Sequence, residues 1–244
     1  VNFVLLYKLL FFNPKLIYFE MAPCGNAFLR DSLYLWVCKL FGKKIICEFH
    51  GRGVEDDVKN KLRLKYNKLV LKNVQLILLS ELVYYDVKKM ISKKDVEFLP
   101  NGITNDISDE EFNQILNNKK SNAQLNLLYF SNMLPSKGVM DTVEICNLLN
   151  KSKVPFICYF AGAWDSENFK KEWYKKIKEL GLENKCVYVG PKYGSEKKEI
   201  FSKANYLIFP TKYPKECYPL VILESFMYGV PVLSYDTGAI RSII

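Results

Sequence analysis

Histidine is almost absent from this chain: His50 is the only one among 244 residues. Metal sites that need several imidazole ligands are therefore excluded. The seven cysteines contain no Cys-x-x-Cys pair and lie mostly among apolar residues, as at Cys47 and Cys158. An odd number of cysteines in apolar surroundings argues against a disulfide framework or a zinc site and predicts buried, reduced thiols. We therefore expect a cytoplasmic protein.

Long hydrophobic runs are also missing. The apolar stretch at residues 1–12 is interrupted by Asn2 and Lys8 and is closed by Asn13 and Pro14. It is too short to span a bilayer and has no small-residue cleavage site, so we predict neither a transmembrane helix nor a signal peptide. The chain begins without Met and stops directly after a strand-like run, which predicts a fragment of a longer protein.

The composition favours a folded protein whose charge is unevenly distributed along the chain. Hydrophobic residues make up 49% and aromatic residues 14%, which excludes a disordered or collagen-like chain. Of the net charge of +9, residues 1–100 contribute +7, from 17 Lys and Arg against 10 Asp and Glu. We expect this first part to attract an anionic partner.

Short apolar runs alternate with helical patterns along the chain. The predicted strands are 16–19, 44–49, 75–79, 96–99, 125–130, 156–160, 186–189, 206–209 and 231–234. The predicted helices are 28–41, 57–72, 80–91, 141–149, 168–180, 195–202 and 219–228; Asp141 and Glu144 have capping-box spacing. Because most strands are near-continuous apolar runs, we predict an α/β fold with parallel sheets buried on both faces.

One polar segment interrupts the alternation. Residues 105–124 are rich in Asn, Asp and Lys, and we interpret them as a linker that can hold a short helix. The predicted organisation is a Rossmann-like domain at 1–104, this linker, and a second Rossmann-like domain at 125–244.

The strongest functional pattern surrounds two glutamates. A strand ends at Phe209, a proline-rich loop carries Glu216, and a helix that begins at Pro219 carries Glu224. The spacing alone has a high false-positive risk, so the context is what matters. Ligands bind at the carboxyl ends of strands in open α/β sheets, and a helix N-terminus attracts phosphate.

This segment resembles the E-x7-E signature of retaining glycosyltransferases with the GT-B fold, family 4 (glycosyl transferases group 1). Two further stretches are similar to family motifs in the same order. Residues 99–103 resemble the Pro-Asn-Gly turn that closes the N-terminal domain, and residues 131–138 resemble the Gly-Arg-Leu-x-x-x-Lys-Gly loop. The resemblance covers nearly the whole chain, and three ordered motifs are far more specific than one.

The resemblance implies two Rossmann-like domains whose parallel sheets face each other across a cleft, each incomplete at one end of this chain. It also implies transfer of a sugar, with retention, from a nucleotide-diphosphate sugar to the hydroxyl of a saccharide or lipid-linked acceptor. Surface polysaccharide or glycolipid biosynthesis is the expected context. No metal and no tightly bound cofactor are expected, since the nucleotide sugar is a co-substrate.

The resemblance assigns roles to individual residues. Glu216 would stabilise positive charge on the donor sugar, Glu224 would bind the ribose hydroxyls, and Lys137 would neutralise the leaving diphosphate. The donor site would also include Asn132, Tyr218, Pro219 and Leu220. The ordinary alternatives are a solvated helix carboxylate for Glu224 and a surface lysine for Lys137.

The sequence departs from the family pattern at several positions. Asn132 replaces the arginine of the second motif, Ser131 replaces the glycine before it, and Cys217-Tyr218 replaces Gly-Phe. The later Gly-Gly-x-x-Glu pattern reads Gly238-Ala-Ile-Arg-Ser. One diphosphate cation is missing, which leaves open a catalytically degenerate nucleotide-sugar-binding subunit. The enzymatic alternative is another GT-B enzyme, such as a nucleotide-sugar epimerase.

His50 follows a predicted strand and precedes a helix, in Glu-Phe-His-Gly-Arg-Gly. It is similar to the family's histidine near the donor sugar, and we assign it a catalytic role, although a lone histidine is often structural. Arg52 would approach the acceptor or a phosphate, or is an ordinary surface arginine. A dinucleotide fingerprint is excluded, because Asp56 occupies its third glycine position.

The helix predicted at 57–72 is strongly basic. Lys61, Lys65, Lys68 and Lys72 share one face, and Val58, Leu62, Tyr66 and Leu69 share another, which we expect to face the core. The lysines form either a solvated face or a surface for anionic lipid headgroups. The second interpretation predicts a protein on the inner face of the membrane. Nucleic acid is not predicted, since no recognition motif accompanies the charge.

Overall fold

The computed structural model describes residues 2–120 and 124–244. The chain forms two compact units. The first contains the residues up to Asn101 together with Pro214–Tyr218, and the second contains Gly102–Tyr213 and Pro219–Ile244.

The first unit is built on a parallel sheet of four strands in the order β1-β2-β3-β4. The strands are β1 (Leu16–Glu20), β2 (Lys44–Phe49), β3 (Gln75–Leu78) and β4 (Val96–Phe98). The helices are α1 (Asn2–Phe11), α2 (Gly25–Leu40), α3 (Val54–Asp57), α4 (Lys61–Leu71) and α5 (Tyr84–Val87), with 3₁₀ turns at Glu81–Val83 and Lys93–Asp95. Cys47 and Leu76, in the two central strands, are fully buried, because α2 and α4 follow β1 and β2 as crossover helices. The edge strand β1 contains no buried residue, so the prediction of burial on both faces is wrong for this strand.

The second unit has a parallel sheet of five strands in the order β7-β6-β5-β8-β9. The strands are β5 (Leu125–Phe130), β6 (Phe156–Ala161), β7 (Cys186–Tyr188), β8 (Tyr206–Phe209) and β9 (Val232–Ser234). The helices are α6 (Asp109–Lys120), α7 (Val139–Lys151), α8 (Glu167–Glu179), α9 (Gly194–Lys203) and α10 (Leu220–Met227), with 3₁₀ turns at Pro135–Lys137 and Ile240–Ser242. The order of the strands reverses between β5 and β8.

The central strand β5 shows why its sequence is continuously apolar. Leu127 and Tyr129 pack into one hydrophobic cluster, with Trp173 of α8. Leu128 packs into a second cluster on the opposite face, with Ile222 of α10. Both faces of this strand are therefore buried, as in other sheets of parallel strands.

The predicted α/β class with parallel sheets is confirmed. All nine predicted strands are present, and every strand end lies within one residue of its predicted position. The apolar run at the start of the chain forms α1 from Asn2 to Phe11, while Val1 lies outside the described residues. Among the described residues, no helix has the length and apolar character needed to cross a membrane.

The single helix predicted at 57–72 is wrong. The chain breaks before α4, where the Asn60 side chain accepts hydrogen bonds from the main-chain N–H groups of Leu62 and Arg63. The predicted core face is also wrong in part, because Leu62 is 79% and Leu69 is 53% exposed. The buried residues of α4 are Asn67, Val70 and Leu71.

Two other helix predictions need correction. The region predicted as one helix at 80–91 forms only a 3₁₀ turn followed by the single turn of α5. The capping box predicted at Asp141 is wrong, because α7 begins at Val139 with Gly138 at its N-cap. Asp141 instead accepts a hydrogen bond from Lys212 at 2.6 Å.

The segment 105–124 contains α6, with residues 121–123 lying outside the described residues. Ile115 of α6 is buried in a cluster of the second unit. Lys119 Nζ donates a hydrogen bond of 2.7 Å to the carbonyl of Tyr228, directly after α10. Such a contact satisfies a carbonyl that the end of a helix leaves unpaired. The domain boundaries proposed at 104 and 125 stay a prediction.

The burial of Lys119 predicts a specific pH dependence of stability. Burial lowers the pKa of Lys119 to about 8, below its value in an unfolded chain. Between these two values the unfolded state binds more protons, so the free energy of unfolding should rise with pH above about 8. We expect Lys119→Met to lose this rise, in urea unfolding followed at about pH 7 and about pH 10. The exposed neighbour Lys120→Met should keep it, and equal pH dependence of all three proteins would contradict the prediction.

Candidate functional site

The reversal of strand order in the second unit marks a candidate ligand site. Strands β5 and β8 are neighbours, and their following connections run in opposite directions, to β6 and to β9. A crevice at the carboxyl ends of the strands forms at such a point. The two loops that follow these strands are 131–138 and 210–219, and they carry most of the predicted donor-binding residues.

The two loops are held together by their main chains. The Lys212 N–H donates a hydrogen bond of 2.8 Å to the carbonyl of Ser136. Gly138 has a left-handed φ of +79°, and a Cβ added there would lie 2.2 Å from the Pro210 carbonyl oxygen. Only glycine fits both this conformation and this approach. The fixed spacing of the loops therefore depends on Gly138.

Within this pair of loops the structure places Lys137 against two aromatic rings. Its ammonium nitrogen lies 4.7 Å from the ring centre of Tyr213 and 5.7 Å from that of Phe209. The buried Tyr129 hydroxyl donates hydrogen bonds to the carbonyls of Asn132, at 3.0 Å, and Lys137, at 3.4 Å. The ammonium group is thus half-buried in a fixed loop, while Asn132 is exposed.

Helix α10 begins directly after the second loop. The sequence predicts Pro219 as the first residue of this helix, whereas Pro219 is the N-cap and the helix begins at Leu220. Pro219 itself supplies no side-chain hydrogen bond to the helix, and the positive end of the helix lies at Leu220. Leu220 itself is 40% exposed.

Glu224 lies one turn further along α10 and is paired with a residue that the sequence did not predict. Its Oε1 accepts a hydrogen bond of 2.8 Å from Lys197 Nζ of α9. Both side chains are mostly buried, so the ion pair fixes the orientation of the carboxylate. No local sequence signal links the two residues, because they come from separate helices.

The first unit contains a second group of predicted residues, after β2. His50 Nε2 lies 3.3 Å from Oε1 of Glu48. Glu48 is almost completely buried, whereas the His50 side chain is 37% exposed. A sequence signal for Glu48 does exist, since it is a carboxylate within an otherwise apolar strand end. Such a partner sets which imidazole nitrogen carries a proton.

The segment with Glu216, Pro214–Tyr218, belongs to this first unit. Glu216 is 7% and Cys217 is 5% exposed, and Tyr218 is half-buried. The Arg52 Nη1 donates a hydrogen bond of 3.2 Å to the main-chain carbonyl of Glu216. The structure therefore brings Arg52 and Glu216 together, and it assigns Glu216 and Glu224 to different units.

The structure describes residues 2–120 and 124–244. In this part of the chain no group of three or more His, Cys, Asp or Glu side chains is arranged to hold a metal ion. The acidic run Glu55-Asp56-Asp57 lies in α3, where Asp56 pairs with Lys59 and Asp57 pairs with Arg63.

Parallel sheets with crossover helices, and polar loops at the carboxyl ends of the strands, define an α/β protein of the Rossmann type. The sequence model described as "Glycosyl transferases group 1" matches residues 108–244, which is more than half of the chain. The chain belongs to the glycosyl transferases group 1 family. A comparison with curated proteins finds no match.

Solved glycosyltransferase structures share the fold. HepE of Anabaena, in complex with UDP, is 15% identical with a TM-score of 0.77, over 100% of this chain and 65% of that one. A glycosyltransferase of Rickettsia africae is 18% identical with a TM-score of 0.74, over 97% and 61% of the two chains. Sucrose-phosphate synthase of Thermosynechococcus elongatus is 18% identical with a TM-score of 0.68, over 97% and 59%.

The predicted GT-B fold is confirmed by these structures. At such low identity the likeness shows the fold and not the substrate. The chain spans less than two thirds of the length of each of these proteins.

The contact between the two loops can be tested at Gly138. Gly138→Ala should lower the free energy of unfolding by about 2–4 kcal/mol, because the added Cβ meets the Pro210 carbonyl and φ is left-handed. Gly190 is a matched control, since its φ is +75° but nothing lies within 4 Å of an added Cβ. Gly190→Ala should cost only about 1–2 kcal/mol, the price of the conformation alone. Equal urea midpoints for the two variants would contradict the prediction.

Proposed function

We propose that the whole protein is a glycosyltransferase that moves a sugar from a nucleotide-diphosphate sugar to a hydroxyl group. The observation that carries the proposal is the pair of locked loops in the second unit. They hold the Lys137 ammonium and the start of α10, two positive features suited to a diphosphate. Membership of the glycosyl transferases group 1 family supports the same reaction.

The proposed donor is a nucleoside diphosphate sugar. The HepE structures contain UDP, or UDP-glucose, and they share the fold of this chain. In our proposal Glu224, held by Lys197, accepts hydrogen bonds from the ribose hydroxyls. Asn132, Tyr218, Pro219 and Leu220 complete the donor site. The acceptor is proposed to be a saccharide or a lipid-linked saccharide.

The proposed chemistry needs charge stabilisation more than covalent catalysis. The acceptor oxygen forms a bond to the anomeric carbon as the bond from that carbon to the diphosphate oxygen breaks. In this proposal the acceptor attacks from the face that the diphosphate leaves, so the configuration is retained, and the acceptor proton passes to the leaving diphosphate. No metal ion takes part in the proposed step. Glu216 stabilises the positive charge of the sugar, and Lys137 with the start of α10 stabilises the negative charge of the diphosphate.

His50 completes the proposed catalytic group. Its pairing with the buried Glu48 leaves the other imidazole nitrogen for the donor sugar. In this proposal His50 contacts substrate, and Glu48 fixes the orientation of the ring. Both residues lie at the end of β2, where an α/β sheet presents its ligand-binding groups.

A binding subunit without transfer activity is the second candidate function. Asn132 is exposed in the loop where the family has an arginine, so one diphosphate cation is missing. The loss of a charged contact would weaken the stabilisation of the leaving group. An epimerase that uses the same donor is the alternative enzyme.

Substitution of Glu216 tests the assignment. Glu216→Gln should lower the rate of transfer by about 10²-fold or more, because the neutral amide cannot stabilise a developing positive charge. Donor binding, measured by calorimetry with UDP- and GDP-sugars, should change by less than about threefold. The exposed Glu179→Gln is the control and should behave as the unmodified protein. Full transfer activity of Glu216→Gln would contradict the proposal.

The unmodified protein separates the other candidates in the same assays. Donor binding without transfer supports the binding subunit. Conversion of the donor sugar in the absence of an acceptor supports the epimerase. Absence of donor binding contradicts all three functions.

We further propose that α4 places the protein on the inner, anionic face of the membrane. Lys61, Lys65 and Lys68 in α4 and Lys72 after it are all exposed. Leu62 and Leu69, which were expected to be buried, are exposed beside them. A helix surface that combines lysines with exposed leucines suits a bilayer of anionic lipids.

Binding to lipid vesicles tests this surface. Changing Lys61, Lys65, Lys68 and Lys72 to Gln should weaken binding to phosphatidylserine vesicles by about 1 kcal/mol for each lysine removed. A control with the same change of charge replaces four exposed lysines of the second unit, Lys151, Lys171, Lys175 and Lys178. The control should bind almost as well as the unmodified protein. Equal binding to neutral vesicles, or a loss unaffected by salt, would contradict the proposal.

A further inference from the structure

The segment Pro214–Tyr218, which carries Glu216, contacts the residues that follow β2. Arg52 Nη1 donates a hydrogen bond of 3.2 Å to the Glu216 carbonyl, although the two residues are 164 positions apart. A Cβ added at Gly53 would lie 3.7 Å from Cε of Lys215. The segment therefore packs directly on the Arg52–Gly53 main chain.

Two residues of α5 fix Arg52 and the main chain that follows it. The Arg52 Nη2 donates a hydrogen bond to the hydroxyl oxygen of Tyr85, and the guanidinium carbon lies 5.2 Å from the centre of the Tyr85 ring. The next residue, Asp86, is buried and accepts hydrogen bonds from the N–H groups of Gly53 at 2.9 Å and Val54 at 3.1 Å. The guanidinium group and the main chain after it are therefore both fixed.

The Arg52 side chain does not behave as an ordinary surface arginine. Its Nε is buried and has no hydrogen-bond partner among the residues that the structure describes. Desolvating a guanidinium nitrogen is unfavourable, so the interactions of the two Nη atoms must compensate for it. The sequence left open a contact of Arg52 with the acceptor or with a phosphate. The structure shows instead that its donors reach Tyr85 and the Glu216 carbonyl.

We propose that Arg52 is a positioning residue that fixes the segment carrying Glu216 and thereby keeps Glu216 and Cys217 buried. The inference rests on the proposed function only in the role of Glu216. Arg52 bonds to the main chain of Glu216, so it acts through that residue and not on the substrate. Its loss releases the segment without removing the carboxylate.

Cys217 gives a readout that does not depend on activity. Burial raises the pKa of the Cys217 thiol to about 11, while the charge of Arg52 lowers it. Removing that charge from an unmoved segment would make the thiol even less reactive. Release of the segment would expose the thiol and make it more reactive. The two effects of Arg52→Ala on thiol labelling therefore have opposite signs.

The experiment labels the complete protein with N-ethylmaleimide near neutral pH and follows each cysteine by mass spectrometry. In Arg52→Ala we expect labelling of Cys217 to become about tenfold faster, because the segment opens more often. Labelling of Cys158, which lies in the core of the second unit, should not change. Tyr85→Phe, which removes only the hydroxyl partner of Arg52, should give a smaller increase and guards against misfolding of the first variant.

Kinetics on the same variants test the role of the segment. Arg52→Ala should lower kcat by about tenfold or more, since Glu216 is proposed to act in the transition state, and should raise the donor KM by a smaller factor, because Tyr218 of the proposed donor site moves with the segment. Arg30→Ala is the matched control, because Arg30 is an exposed arginine of the same unit that pairs with Asp31. It should leave both labelling and kcat unchanged.

The outcomes distinguish this inference from the proposed function. Unchanged or slower labelling of Cys217 in both Arg52→Ala and Tyr85→Phe overturns the inference, whatever the activity. Faster labelling with unchanged kcat overturns the positioning role. If the unmodified protein transfers no sugar but Cys217 labelling rises in both variants, the fixing of the segment by Arg52 is supported and the proposed function fails.

Discussion

The close approach of two main chains is the constraint on which the candidate site depends. At the end of the loop after β5, Gly138 lies against the Pro210 carbonyl. At its start, the Ser131 carbonyl lies against Gly162, where an added Cβ would be 1.8 Å from the carbonyl oxygen. The loop after β5 is therefore pressed against neighbouring main chain at both of its ends. Because these contacts involve main-chain atoms, they limit how far the loop can move. The position of Lys137 is therefore fixed by main-chain contacts at the two ends of its loop.

The fold could be predicted because burial on both faces leaves a clear sequence pattern. Strand β5 needs apolar residues at successive positions such as Leu127, Leu128 and Tyr129, because each face of the strand packs into a different hydrophobic cluster. The helices were less predictable, because their limits depend on single hydrogen bonds. The cap at Asn60 begins a new helix within the segment that hydrophobic periodicity predicted as one helix. Asp141 binds Lys212 and does not cap the start of its own helix.

The candidate site was predictable only in the types and order of its residues. The motifs around Lys137, Glu216 and Glu224 are local, so a single sequence contains them. The partners of these residues are distant in the chain, as in the ion pair of Lys197 with Glu224. Which carbonyl an arginine such as Arg52 reaches is set by tertiary packing, and a sequence pattern does not encode it.

The five residues Pro214–Tyr218 belong to the first unit in space, although in the sequence they lie within the second unit. A cut after Asn101 would leave the later part with the glutamate but without the arginine and tyrosine on which its segment packs. The later part would retain its five-stranded sheet and lose the surface that buries Cys217. The two units therefore cannot be exchanged between homologous proteins at a single junction. A chimera with a foreign first unit needs a matching anchor for this short return segment.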